Sequence, residues 1–95
     1  MLRKTTRKLD ADYAQEIALS ALSFMAEDRD RLVRFLELTG MIPDELRTQA
    51  HSPGLLGAVL DHLLSDESLL LVFTASAGLS PEIVAPAREM LRRAA

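Results

Sequence analysis

Two stretches of this chain are punctuated in the same way. Asp28 is followed by Leu32, Phe35, Gly40 and Pro43, and Asp66 by Leu70, Phe73, Gly78 and Pro81. Asp is a strong helix N-cap, because its carboxylate accepts from the exposed amides of the first turn. Gly ends a helix well, because it takes the left-handed conformation without a Cβ clash. Pro suits the first helical position, where its missing N–H is no loss. This spacing confines each helix to about three turns and forbids one long helix. Between the marks the chain is rich in Leu (18) and Ala (13), with 4% aromatics and no Trp. So few aromatic and β-branched residues argue against a sheet protein. The fold class is all-α.

The apolar spacing predicts five to six short helices. The first covers about residues 12–26, with Tyr13, Ile17, Ala21 and Phe24 on one face. The second covers 28–39, with Leu32, Phe35 and Leu36 inward. The third is short, about 43–50. The fourth opens at Ser52-Pro53 and carries Leu55, Leu56, Val59, Leu60, Leu63 and Leu64. The fifth starts at Asp66 and ends before Gly78. Its run 69–73 is apolar on all sides, which predicts a central, fully buried helix. The sixth starts at Ser80-Pro81 and runs to about 93. Pro86 lies inside it and predicts a break, with 81–85 as a separate turn. The expected core is Ile17, Ala21, Phe24, Leu32, Phe35, Leu36, Leu46, Leu56, Val59, Leu60, Leu63, Leu70 and Phe73.

At 95 residues there is room for one compact domain, residues 10–95, behind a flexible basic tail, 1–9. Shifting the sequence by 38 positions superposes the two punctuated stretches and also brings Leu22 onto Leu60. Two pseudo-repeated helical hairpins would produce this pattern, and so would capping rules acting twice.

The net charge of −3 hides an uneven distribution. Residues 1–8 hold four basic groups and no acid. From Leu9 onward there are seven basic and fourteen acidic residues, and 48–87 contain no Lys or Arg. An acidic body repels phosphate backbones, which speaks against nucleic acid as a partner. The basic start runs into Asp10, Asp12 and Glu16 rather than an apolar stretch, so no secretory signal is expected. No window is long and apolar enough for a membrane span. A cytoplasmic protein is the expectation.

Chemistry is sparse. Cysteine is absent, which removes disulfides, thiolate metal sites and Cys nucleophiles. The only histidines, His51 and His62, lack ligand spacing, so no metal or other cofactor is expected. His62 reads as a half-buried boundary residue. Asp61 and His62 are adjacent and turn about 100° apart on a helix, so they do not form a dyad. Asp28-Arg29-Asp30 lacks the Gly and closing Glu of a calcium loop. Glu82 and Glu89 read as a solvated face. No catalytic constellation appears, and no enzyme is expected; a deep pocket around Asp61, His62 or Glu67 would reopen that question.

Two functional readings remain. Residues 32–51 have helix–turn–helix spacing, with Arg47, Thr48, Gln49 and His51 as the DNA-facing set. Leu36, where close packing wants a small residue, and the acidic opening Asp44-Glu45 oppose it. The leading reading is a non-enzymatic interaction module. The fourth and fifth helices are Leu-rich and charge-poor, and 68–80 carry no charge at all. That surface suits an unknown protein partner or a homodimer.

The order of certain phrases is distinctive: Ala26-Glu27-Asp28, Phe35-Leu36, Leu38-Thr39-Gly40, Leu60-Asp61 and Ala77-Gly78-Leu79-Ser80-Pro81-Glu82. Over about residues 12–92 the chain resembles the small bacterial proteins grouped as domain of unknown function 3572. The resemblance implies a compact all-α bacterial protein. It brings no catalytic or binding residues.

Overall fold

The computed structural model describes residues 7–94. Six helices follow one another: α1 (Ala11–Ala26), α2 (Arg29–Thr39), α3 (Pro43–Thr48), α4 (Pro53–Leu64), α5 (Glu67–Ala77) and α6 (Val84–Ala94). A 3-10 turn, Pro81–Ile83, precedes α6. The fold is an all-α single domain.

The boundaries follow the punctuation. Asp10 Oδ1 accepts from the Tyr13 amide at 2.8 Å, and Asp28 Oδ1 from the Asp30 amide at 2.9 Å. Ser52 Oγ accepts from the Leu55 amide at 3.0 Å, and Asp66 Oδ1 from the Leu69 amide at 3.1 Å. Each bond satisfies a first-turn donor that has no partner inside the helix. Gly40 and Gly78 end α2 and α5 with φ of 76° and 70°. Pro86 falls in the first turn of α6, where no backbone bond is lost. The expected break is thus the 3-10 turn, and α6 begins at Val84.

The bundle centre is α1, α4 and α6, which pack against one another. Ala14, Ala18 and Ala21 of α1, Leu56, Val59, Leu60 and Leu63 of α4, and Val84 and Ala87 of α6 are all fully buried. Short alanine side chains let the helix axes close up, so backbones and neighbours cover them. Each fully buried Leu contributes about 1.5–3 kcal/mol.

The expected central position of the fifth helix is overturned. Only Phe73 and Thr74 of α5 are buried, and Leu71 and Val72 face outward. An all-apolar run does not dictate the centre when α1 and α6 present better-fitting faces. The same shift explains the core. Ile17, Ala21, Phe24, Phe35, Leu56, Val59, Leu60, Leu63 and Phe73 are buried as expected. Leu32, Leu36, Leu46 and Leu70 are only half-buried. They lie on α2, α3 and α5, which touch the bundle with one side.

The 38-position shift carries structural content. It places α2 on α5 end to end. It also maps the buried face of α1 onto that of α4: Ile17 on Leu55, Ala18 on Leu56, Ala21 on Val59, Phe24 on His62 and Met25 on Leu63. Both members of each pair are buried. The aromatic contacts are reciprocal. Phe73 of α5 packs on Phe24 of α1, ring centroids 5.4 Å apart, and Phe35 of α2 packs on His62 of α4 at 5.3 Å. Each half of the chain inserts its Phe against the first helix of the other half. Contacts across a two-fold interface have this form.

The tail expected over 1–9 lies partly outside the described residues. Within them, Arg7 pairs with Glu16 at 2.8 Å and its guanidinium sits 4.2 Å from the Tyr13 ring centroid. Leu9 packs against the core. No single helix among the described residues is long and apolar enough to cross a membrane.

Candidate functional site

Helix α4 carries two polar neighbours that point to different partners. Asp61 turns toward α6, and its Oδ2 accepts from Arg88 Nη2 at 2.8 Å. Its Oδ1 accepts from Arg88 Nε, making the pair bidentate. His62 lies about 100° further round and turns toward α2. The two do not form a dyad, as their adjacency requires.

His62 is more buried than a boundary residue; its side chain stands edge-on to Phe35 at an interplanar angle of 79°. Its Nε2 is buried and has no hydrogen-bond partner. Burial pushes the imidazole below its ordinary pKa of 6.5. Asp66 works in the opposite direction, and Arg34 adds to the lowering. The neutral ring is the form that fits this environment. Arg34 and Leu38 on one wall and Ser65, Asp66, Glu67 and Ser68 on the other enclose the cleft beside it. Ser65 Oγ donates to the His62 carbonyl at 2.8 Å, which engages that hydroxyl in the turn between α4 and α5.

The other candidate residues are dispersed. Asp28 caps α2 and stands 3.9 Å from Arg31 Nε, while Arg29 and Asp30 are exposed. Glu82 accepts from the Ser80 hydroxyl, which holds its carboxyl below the usual range. Glu89 is held low by Arg92 at 2.9 Å, with Arg93 at 3.6 Å. Among the described residues no three His, Asp or Glu side chains gather as a metal site would require. In the helix–turn–helix segment, α3 ends at Thr48 and buries no residue. Arg47 pairs with Asp44 on the same helix, and Gln49 and His51 lie beyond its end.

The outer face of α5 is the other distinctive surface. Leu71 is 46% exposed and Val72 49%. Ser68, Ala75 and Ser76 are exposed beside them. Phe73 and Thr74 hold the opposite side of the helix inward. The Thr74 hydroxyl donates to the Leu70 carbonyl at 3.0 Å, so it needs no outside partner.

Sequence reasoning missed two contacts. Asp61 and Arg88 belong to different helices, and their pairing had no local signal. Phe35 on His62 is the other: the shift by 38 sets His62 on Phe24, but the two residues are not identical and give no signal of a shared slot.

No curated protein matches the chain, and no solved structure matches it. A family model described as "protein of unknown function (DUF3572)" matches residues 11–94. Since that span takes in every helix from α1 to α6, the chain belongs to the DUF3572 family.

Proposed function

We propose that this protein is a non-enzymatic helical module that binds another protein through the outer face of α5. The exposed pair Leu71 and Val72 carries the reading, because it lies within 68–80, which hold no charge. Scattered exposed apolar residues are ordinary on any surface. Here two large ones are adjacent, with the exposed Ser68, Ala75 and Ser76 beside them and the nearest charge on the helix at Glu67, in its first turn. From Leu9 onward the chain is acidic, and a neutral face is where a partner approaches without repulsion.

The face is small, since one helix of eleven residues is short of the ~800 Å² per partner of a standard interface. Binding should therefore be transient unless neighbouring surface joins in. The first partner to test is a second copy of the chain. Light scattering across a concentration series should show association that Leu71→Asp abolishes. A photo-cross-linker placed at position 72 should capture the partner in the native cell. A strict monomer that also gives no cross-link from position 72 would sink the reading.

A further inference from the structure

We propose that α2 and α3 form an arm whose closure on the bundle is controlled by protonation of His62.

The arm is lightly held. Phe35 is the only buried residue of α2, and α3 buries none. Half-buried Leu36, Met41 and Leu46 add partial contacts, and Arg31 lays its guanidinium 4.0 Å from the Phe24 ring centroid. Segments with so few buried apolar groups open at the low end of the stability range, without unfolding the rest. The main anchor, Phe35, rests on His62.

Its counterpart in the other half shows what the slot is built for. Phe73 anchors α5 on Phe24, which occupies the position that His62 holds on α4. Phe24 and His62 are each 7% exposed. An apolar ring fits the first slot at any pH. The second slot holds a ring that can acquire a charge. A protonated imidazole has two N–H donors, and the buried Nε2 faces no acceptor. The charged form is therefore penalised while the arm is closed.

Opening removes the penalty. It hydrates the ring, and it takes away Arg34, whose positive charge rides on α2. Asp66 stays beside His62 at the cap of α5, and Glu67 stays on the cleft wall. Asp61, the other acid along this side of α4, is engaged by Arg88. The open arm thus binds a proton more tightly than the closed one, and by linkage protons favour opening. The lowered pKa of His62 in the closed state agrees with this direction. The opening equilibrium therefore rises as pH falls from the open-arm pKa of His62 toward its lowered closed-arm pKa, and levels off below that.

Native-state hydrogen exchange on the full chain at pH 7.5 and pH 5 tests this, with intrinsic rates divided out. The opening constant of the α2 amides should rise at the lower pH, by about tenfold for each pKa unit between closed and open arm. The α5 amides, anchored Phe on Phe, should not follow. His62→Phe should abolish the rise, and Arg34→Gln should reduce it. An α2 opening constant that ignores pH would overturn the proposal, as would an equal rise in α5 or a rise that persists in His62→Phe. Should His62→Phe fail to fold, the wild-type His62 ring resonance decides. It must titrate below 6.5; titration at or above that value overturns the proposal.

Discussion

Phe24 and His62 occupy the same place in the two halves of this chain, 38 positions apart, and each receives a phenylalanine from the opposite half. The pair is structurally alike and chemically unlike. One slot is indifferent to pH, and the other contains the single buried titratable ring among the described residues.

Swapping the chemistry should move the acid response. In Phe24→His, the amides of α5 should gain the pH-dependent opening that α2 shows in the wild type. Burial against Phe73 would supply the penalty on protonation that opening of α5 relieves, whereas Arg31 rides on α2 and would stay over the ring in both states of α5. Exchange rates read residue by residue at two pH values would show the transfer. An α5 that stays unresponsive would mean that the two slots are not equivalent.

Overall stability should carry the same sign. A histidine with a lowered folded-state pKa binds its proton more readily when unfolded, so stability rises with pH in the window between the two values. The contribution of His62 is therefore complete above 6.5, is lost as pH falls from there, and stops changing below the folded value. Urea midpoints measured from pH 8 to 5 on wild type and His62→Phe should diverge only below that point.

The location of the core makes a sharp contrast between leucines. Leu60→Ala removes a fully buried side chain from the α1, α4 and α6 contact and should cost about 2–5 kcal/mol. Leu71→Ala, on the outer face of α5, should fall within about 0.5 kcal/mol of wild type. Equal losses in urea unfolding would mean that α5 is covered after all.

Glycines divide in the same manner. Gly40 and Gly78 have open space where a Cβ would stand, but both hold positive φ. Ala at either position should cost about 1–2 kcal/mol from backbone strain alone. Gly57 lies inside α4 and also faces open space, so Gly57→Ala should stabilise by up to about 1 kcal/mol. Thermal melts of the three variants would rank them.

The contact between Asp61 and Arg88 is partly exposed and should matter little at high ionic strength. Asp61→Asn should lower the melting temperature by a few degrees at most in low salt. Added salt should shrink the difference, and a large loss that salt leaves unchanged would contradict the exposed geometry.

Helix starts and stops were legible because they are local. Asp28, Ser52, Asp66, Gly40 and Gly78 act on amides or torsions within a few residues of themselves. The arrangement of helices was less legible, because it depends on fit. The Leu run of α5 is more hydrophobic than the alanines of α1, yet Ala14, Ala18 and Ala21 lie at the centre. Their small size lets α4 and α6 approach, and hydropathy does not measure approach. The His62 cleft was hidden for a related reason. A histidine in an aromatic slot is recognised only once its counterpart Phe24 is seen making the same contact.

The reciprocal aromatic contacts also bear on how the chain is made. Phe24 waits for Phe73, and α1 and α4 both wait for α6, the last of the six helices in chain order. No fragment that stops short of α6 can complete this core, so its folding must wait until α6 has been made. During that interval the leucines of α4 and α5 are uncovered together, and this is when a chaperone would meet the protein.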